Sequence, residues 1–186
     1  AFLFTGQSSQ YLNMGKSLYH SESVFRDSID RCSALLADFM DEALLDVLFA
    51  EDSNKSHLID DTKYTQPCLF SIEYSLCKLW ESWGVTPSIV VGHSAGEIAA
   101  ACVAGVFSLQ DALKLVANRA RLMASVHTDG SMAVVYATEM VVAAMVQEFK
   151  RDISLAAING PRLVTISGKS AQMERIFKKL TSQKIR

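Results

Sequence analysis

The chain has 186 residues, 49% of them hydrophobic, with 18 basic and 20 acidic side chains and a formal net charge of −2. That length and apolar content suit one domain with a real core, or one domain plus a small subdomain. Balanced, scattered charge excludes a nucleic-acid surface and a polybasic membrane patch, and no apolar run reaches the roughly 18 residues of a membrane span. No basic-then-apolar start marks a signal peptide. Cys32, Cys68, Cys77 and Cys102 lack C-x-x-C spacing, and three of them lie in apolar helical stretches. Buried free thiols and a reducing, cytoplasmic setting follow. The chain opens on Ala1-Phe2-Leu3-Phe4 without an initiator methionine and ends on Gln183-Lys184-Ile185-Arg186. Both ends read as cut, so a piece of a longer polypeptide is expected.

Ala1 to Phe4 reads as a fully buried strand, and Thr5-Gly6-Gln7-Ser8-Ser9-Gln10 as the polar loop leaving it. In open α/β sheets, loops at the carboxyl ends of strands line the ligand crevice. The backbone N–H groups and glutamine amides here either serve an anion or oxyanion or belong to a plain connection. Helical periodicity follows over Ser23 to Phe39, on Val24, Ile29, Ala34, Leu35 and Leu36, and over the shorter Asp41 to Phe49. Residues 51 to 61 are polar and unpatterned, a surface loop. After Tyr64-Thr65-Gln66-Pro67, the spacing of Leu69, Ile72, Leu76, Leu79 and Trp83 predicts a helix from Cys68 to Trp83, with Pro67 in its first turn. Gln66 then points into a site, caps the helix or faces solvent.

Trp83-Gly84-Val85-Thr86-Pro87 breaks that helix and launches an apolar strand, Ser88 to Val91. Gly92-His93-Ser94-Ala95-Gly96 follows, a G-x-S-x-G pattern standing before a small-residue helical run, Ala95 to Gly105. A serine there sits on a sharp strand-to-helix turn with its hydroxyl clear of the backbone and helix-start N–H groups nearby. That is a nucleophile's position; the alternative is a structural tight turn. In the helix from Ser108 to Val126, Ser108 caps with Asp111 three residues on. A helical wheel puts Ala112, Leu115, Val116, Leu122 and Met123 on one face, with Arg119 among them and Lys114 and Arg121 opposite. A cation among core positions is expensive unless paired. Either Arg119 pairs with an acid such as Glu97 or it waits for an anionic substrate, and a guanidinium grips a carboxylate through two parallel hydrogen bonds.

From Gly130 the pattern changes. Strands are expected over Ser131 to Ala137, Ile153 to Ile158 and Leu163 to Ser167, helices over Thr138 to Phe149 and Ser170 to Leu180, and a further strand from Lys184. Asn159-Gly160-Pro161-Arg162 turns the middle strands into a hairpin. This β-α-β-β-α-β order is the ferredoxin-like, split βαβ unit. The expected class is therefore α/β: a hydrolase-like large subdomain with a parallel sheet and nucleophile elbow over 1–128, incomplete at its C-terminal side, and a ferredoxin-like small subdomain over 129–186. The break falls near His127 to Gly130.

Together these stretches resemble the malonyl-CoA:acyl-carrier-protein transacylase family, specifically an acyltransferase domain of a modular polyketide synthase. The matching residues are Phe4 to Gln10, Thr65-Gln66-Pro67, Gly92 to Glu97, Ala104 to Ser108, Arg119 to Met123, Gly130-Ser131-Met132 and Asn159-Gly160-Pro161, in family order. The resemblance implies that Ser94 takes the acyl group from coenzyme A and passes it to a carrier protein's phosphopantetheine thiol. It implies that backbone N–H groups of Gln7 and Ala95 form the oxyanion hole, that Arg119 holds the malonyl carboxylate, that Gln66 and Asn159 line the site, and that His93 supports it. A coenzyme A thioester is then substrate, no cofactor is tightly bound, no metal is expected, and the partners are an acyl carrier protein and flanking synthase domains, with no nucleic acid or membrane.

Two departures stand out. The family's loop usually reads G-Q-G-x-Q, whereas Ser8 takes the third position here. The family's catalytic histidine, and the segments that separate malonyl from methylmalonyl, lie downstream of the ferredoxin-like insert. Of the 4 histidines, His20 and His57 fall in surface-like stretches, His127 lies beyond the helix of Arg119, and His93 points elsewhere from an elbow. A missing general base is expected, at a loss on the order of a thousandfold or more. Two rival readings remain: a patatin-type serine hydrolase drawing on Asp129, and a catalytically incomplete piece with a scaffold or docking role. A simple ester, however, needs no buried cation such as Arg119.

Overall fold

Two units divide the chain between Val126 and residue 127, and the computed structural model describes residues 1–52, 54–126 and 129–185. Part of the expected break, His127 and Thr128, lies outside the described residues.

In the first unit, β1 (Phe2–Phe4) is followed by α1 (Lys16–Ser21), α2 (Ser23–Leu36), α3 (Leu44–Leu48) and, after a 3-10 turn at Ser56–Asp60, the long α4 (Thr62–Ser82). Then come β2 (Val90–Gly92), α5 (Gly96–Val103) and α6 (Leu109–Ala124). The strands β1 and β2 pair in parallel, Phe2 opposite Val90 and Phe4 opposite Gly92. The core lies among the helices, where Phe25, Ile29, Leu36, Leu44, Leu48, Phe70, Leu113 and Val116 are fully or almost fully buried. Every residue of α4 from Tyr64 to Ile72 is buried, so this segment is packed on all sides. Its polar groups are accordingly satisfied inside: Thr65 Oγ1 donates to the Ile59 carbonyl at 2.6 Å and Ser71 Oγ to that of Pro67 at 2.8 Å.

Three expectations change here. The first strand is not fully buried: Phe4 is, but Leu3 is 77% exposed and its register partner Val91 52%. Side chains alternate across a sheet, and the helices cover one face of this pair. Helix α4 starts at Thr62 rather than Cys68, because Asp61 caps it by accepting from the Lys63 N–H at 2.9 Å. Pro67 therefore sits inside the helix, tolerated within a heavily packed segment despite its missing N–H. Finally, the buried stripe of α6 is Leu109, Ala112, Leu113, Val116, Ala117 and Ala120, while Leu115, Leu122 and Met123 are exposed. Small alanines let α6 pack closely on its neighbours, and a reading weighted toward large side chains placed the stripe one step off. Arg119 is consequently half-buried at the margin of the stripe rather than in its middle.

The second unit runs β3 (Gly130–Val135), α7 (Glu139–Val146) with a 3-10 extension at Gln147–Phe149, β4 (Ile153–Gly160), β5 (Leu163–Lys169) and α8 (Ser170–Ser182). Its sheet has the order β3-β5-β4, both neighbours antiparallel to the central β5. Val135, Val142, Met145, Ile153, Val164, Ile166, Met173 and Ile176 form its core. Gly160 still pairs with Leu163, so the hairpin turn is narrower than Asn159 to Arg162. The strand expected from Lys184 does not appear among the described residues. Lys184 instead takes φ 57° just past α8, with its N–H on the Thr181 carbonyl and that of Ile185 on Leu180, both at 3.0 Å. That pair of bonds is a Schellman helix stop. The described order is thus β-α-β-β-α.

Candidate active site

The elbow is built by three backbone constraints. The last rung of the parallel pair joins the His93 N–H to the Phe4 carbonyl at 3.0 Å, and one residue later Ser94 turns to φ 53°. The Gly96 N–H then reaches the His93 carbonyl at 3.0 Å, starting α5. A left-handed non-glycine residue costs roughly 1–2 kcal/mol, and its surroundings must hold it. The two motif glycines show how: a Cβ on Gly92 would stand 2.3 Å from the Glu97 nitrogen, and one on Gly96 2.4 Å from the Thr5 carbonyl oxygen. The helix start is therefore packed flush on the ends of both strands. Ser94 is left exposed and Ala95 buried.

The 5–10 loop lies directly on this turn, since a Cβ on Gly6 would be 2.9 Å from the His93 carbonyl oxygen and 3.3 Å from Ser94 Cβ. Its glutamine side chains are engaged with the helix before and at the start of α4. Gln7 Nε2 donates to Thr62 Oγ1 and Gln10 Nε2 to Asp60 Oδ1, both at 2.9 Å, and Gln10 Oε1 accepts from the Ser8 N–H at 2.8 Å. Among the described residues, the backbone N–H groups of Gln7 and Ala95 make no hydrogen bond. Ser8, at the position where the resemblance expects glycine, adopts φ 93°.

Arg119 of α6 faces the elbow. Its Nη1 donates to Gln66 Oε1, and its Nη2 stands 3.5 Å from Ser94 Oγ. Gln66 is completely buried and spends its amide N–H on Met123 Sδ at 3.4 Å, which fixes its oxygen toward the guanidinium. Among the described residues no carboxylate, Glu97 included, makes an ion pair with Arg119. Gln66 is thus neither a cap nor a solvent group.

His93 is exposed, and its ring carbon Cδ2 lies 3.1 Å from where a Gly6 Cβ would stand. His20 and His57 lie on α1 and the 3-10 turn, and His127 lies outside the described residues. Asn159, on β4 of the second unit, donates to Thr165 Oγ1 at 3.0 Å. In the same unit, the Asp129 carbonyl accepts from the Ser170 N–H. All four cysteines are free and buried; burial pushes the Cys32 thiol up to about 12 and that of Cys68 further. Among the described residues no group of three or more His, Cys, Asp or Glu side chains can hold a metal ion, and no helix is long and apolar enough to cross a membrane.

One residue at this site escaped the sequence reading. Glu73 of α4 accepts from both the Thr5 N–H, at 2.6 Å, and Thr5 Oγ1, at 2.8 Å. Burial raises its carboxyl above the ordinary 4.5, and the two Thr5 bonds offset only part of that. An acid among Leu69, Ile72 and Leu76, on the apolar face of the helix, was the available signal.

The whole chain, residues 1–186, matches the family described as acyl transferase domain. It is 41% identical over 185 residues to the erythronolide synthase EryA2 of Saccharopolyspora erythraea, covering 100% of this chain and 5% of that protein. It is 43% identical over 169 residues to the spectinabilin polyketide synthase system protein NorB of Streptomyces orinoci, covering 90% and 8%. Among solved structures, the acyltransferase domain from the second module of the salinomycin polyketide synthase superimposes with a TM-score of 0.90 at 43% identity, over 100% of this chain and 42% of that one. The malonyl CoA-acyl carrier protein transacylase of Coxiella burnetii gives 0.88 at 26% identity, over 100% and 58%. The chain spans less than two thirds of each of these relatives, and it belongs to the acyl transferase domain family.

Proposed function

We propose that the chain carries the nucleophile side of an acyltransferase that moves a malonyl-type acyl group from coenzyme A to the phosphopantetheine thiol of an acyl carrier protein, in polyketide or fatty acid biosynthesis. The observation that carries this reading is Arg119: a half-buried guanidinium, aimed by a fully buried glutamine, 3.5 Å from the hydroxyl of a serine on a strained elbow. A neutral acyl chain gives such a cation nothing to bind, whereas a carboxylate two carbons from the thioester carbonyl gives it a partner.

In the reaction, Ser94 Oγ attacks the thioester carbonyl, the C–S bond breaks, and coenzyme A leaves as the thiol with the serine's proton. The carrier thiol then attacks the ester carbonyl, the bond from that carbon to Ser94 Oγ breaks, and the proton given up by the carrier thiol goes to Ser94 Oγ. The N–H groups of Gln7 and Ala95 receive the oxyanion in both steps. The group nearest the hydroxyl is a guanidinium, which has no lone pair with which to take a proton. Arg119 is therefore not the base, and the reading gives that role to the histidine that the resemblance expects after the ferredoxin-like segment. Gln66 orients Arg119, and His93 supports the loop.

The same reading takes 1–128 and 129–186 as hydrolase-like and ferredoxin-like subdomains, in a cytoplasmic synthase with neighbouring domains. Malonyl-CoA mixed with the full-length protein containing this chain should leave a malonyl ester on Ser94, seen by intact mass and lost in Ser94→Ala. Rapid hydrolysis of neutral esters without any malonyl adduct would overturn the transferase in favour of a hydrolase.

A further inference from the structure

Thr5 is the first residue past β1, and its peptide is held from two directions. Its carbonyl lies against Gly96 of the elbow helix, where a Cβ would approach to 2.4 Å. Its N–H and its hydroxyl both donate to one oxygen of Glu73 on α4, Oε1, at 2.6 and 2.8 Å. The next residue, Gly6, rests on the His93 carbonyl and Ser94 Cβ, and the one after it is Gln7. Thr5 Oγ1 also meets Ser9 Oγ at 2.8 Å, and Ser9 Oγ reaches the Gly6 carbonyl at 3.0 Å, so the contact with Glu73 spreads through the whole loop.

Glu73 is poorly explained as a stabilising group. It lies on a helix face with Leu69, Ile72 and Leu76, it is partly buried, and among the described residues no cation pairs with it. Burying an acid without a counter-ion is unfavourable, and a leucine would fill the place at less cost. What the side chain supplies that a leucine does not is an oxygen able to accept from two donors. Its other oxygen makes no hydrogen bond among the described residues, and beside the side chain a cavity of about 320 Å³ runs along β1, lined also by Phe2, Leu76, Cys77 and Trp80.

We propose that Glu73 is a positioning residue for the oxyanion site: by holding both donors of Thr5 it sets the height of the 5–10 loop over the elbow, and with it the place of the Gln7 N–H relative to Ser94. The proposal rests on the acyltransferase reading above. A donor that misses the oxyanion by a fraction of an ångström loses part of the hundredfold to thousandfold that one oxyanion donor contributes. The effect belongs to the transition state and not to the bound thioester, so it falls on kcat rather than KM.

The test is malonyl transfer by the full-length protein containing this chain, with Glu73→Ala, Glu73→Gln, Thr5→Val and Ser94→Ala compared. Glu73→Ala should lower kcat about ten- to a hundredfold with KM within about twofold. Glu73→Gln keeps an acceptor oxygen and should recover kcat to within about threefold of the parent. Thr5→Val removes only the hydroxyl contact and should cost several-fold in kcat. Parental kcat in Glu73→Ala, a loss in KM alone, or equal losses in Glu73→Ala and Glu73→Gln overturns the proposal. If Glu73→Ala does not fold, Glu73→Gln and Thr5→Val decide, and an unchanged kcat in Thr5→Val overturns it. Loss of transfer in Ser94→Ala with normal kcat in Glu73→Ala rejects the positioning role alone, whereas transfer that survives Ser94→Ala rejects the acyltransferase reading itself.

Discussion

Ser8→Gly isolates the strain in the loop over the elbow. Ser8 holds φ 93°, a conformation that glycine enters freely and an L residue does not. The serine is disfavoured there by roughly 1–2 kcal/mol. Glycine forfeits roughly 0.5–1 kcal/mol of that through the greater freedom of its unfolded chain. The net gain is therefore about 1 kcal/mol, since the Ser8 side chain makes no hydrogen bond among the described residues and its N–H bond to Gln10 Oε1 survives the change. For a protein of this size that is a rise of about 3 °C in Tm. Thermal denaturation followed by circular dichroism measures it, with Ser8→Ala as control, expected within about 0.5 kcal/mol of the parent because it keeps the strain. A Tm for Ser8→Gly at or below the parent's would refute the reasoning, and would mean that the serine is held there by something more than the backbone.

Other outcomes follow from the same geometry. If Arg119 grips the malonyl carboxylate as proposed, Arg119→Ala removes a two-pronged contact worth about 3 kcal/mol, so kcat/KM for malonyl-CoA should fall about a hundredfold relative to a neutral acyl-CoA, read by competition between the two; unchanged malonyl loading would reject the carboxylate assignment. Gly96→Ala drives a methyl group to within 2.4 Å of the Thr5 carbonyl oxygen, and should destabilise the first unit by about 1–3 kcal/mol and abolish Ser94 labelling, measured by urea denaturation and intact mass. Glu73→Gln changes the pH dependence of stability. The Glu73 carboxyl is raised on folding, so its stabilising contribution is present below 4.5 and is lost as pH rises through its higher folded value. Chemical denaturation at pH 4 and pH 7 should show the glutamine variant gaining on the parent at the higher pH.

Much of the site was legible because chemistry needs particular residues at short spacing. The elbow reads from five consecutive residues, and the close approach of strand ends and helix start explains why its glycines stand where they do. Arg119 was legible as an anomaly, a cation beside apolar positions. Its partner was not: Gln66 lies 53 positions away, and the sequence offered Glu97 equally well, because a helical wheel places a side chain on a face without saying which other helix lies opposite. The start of α4 was misplaced for a local reason, Pro67 having the look of a first-turn residue when Asp61 holds the cap. At the other end, Lys184 looked like a strand start because nothing in a lysine announces a left-handed helix stop.

By itself, the sequence determined the type of most of the longer elements, the turn that exposes Ser94 and the presence of a cation beside apolar positions, since each depends on hydrophobic period, glycine placement or charge within a few residues. Tertiary structure alone decided which groups meet: Gln66 on Arg119, Glu73 on Thr5, and the Thr5 carbonyl on Gly96. Those encounters join distant segments through the packing of α4 on α6 and of α5 on the two strands. Packing of that kind is set by the summed fit of whole faces, which no local pattern encodes.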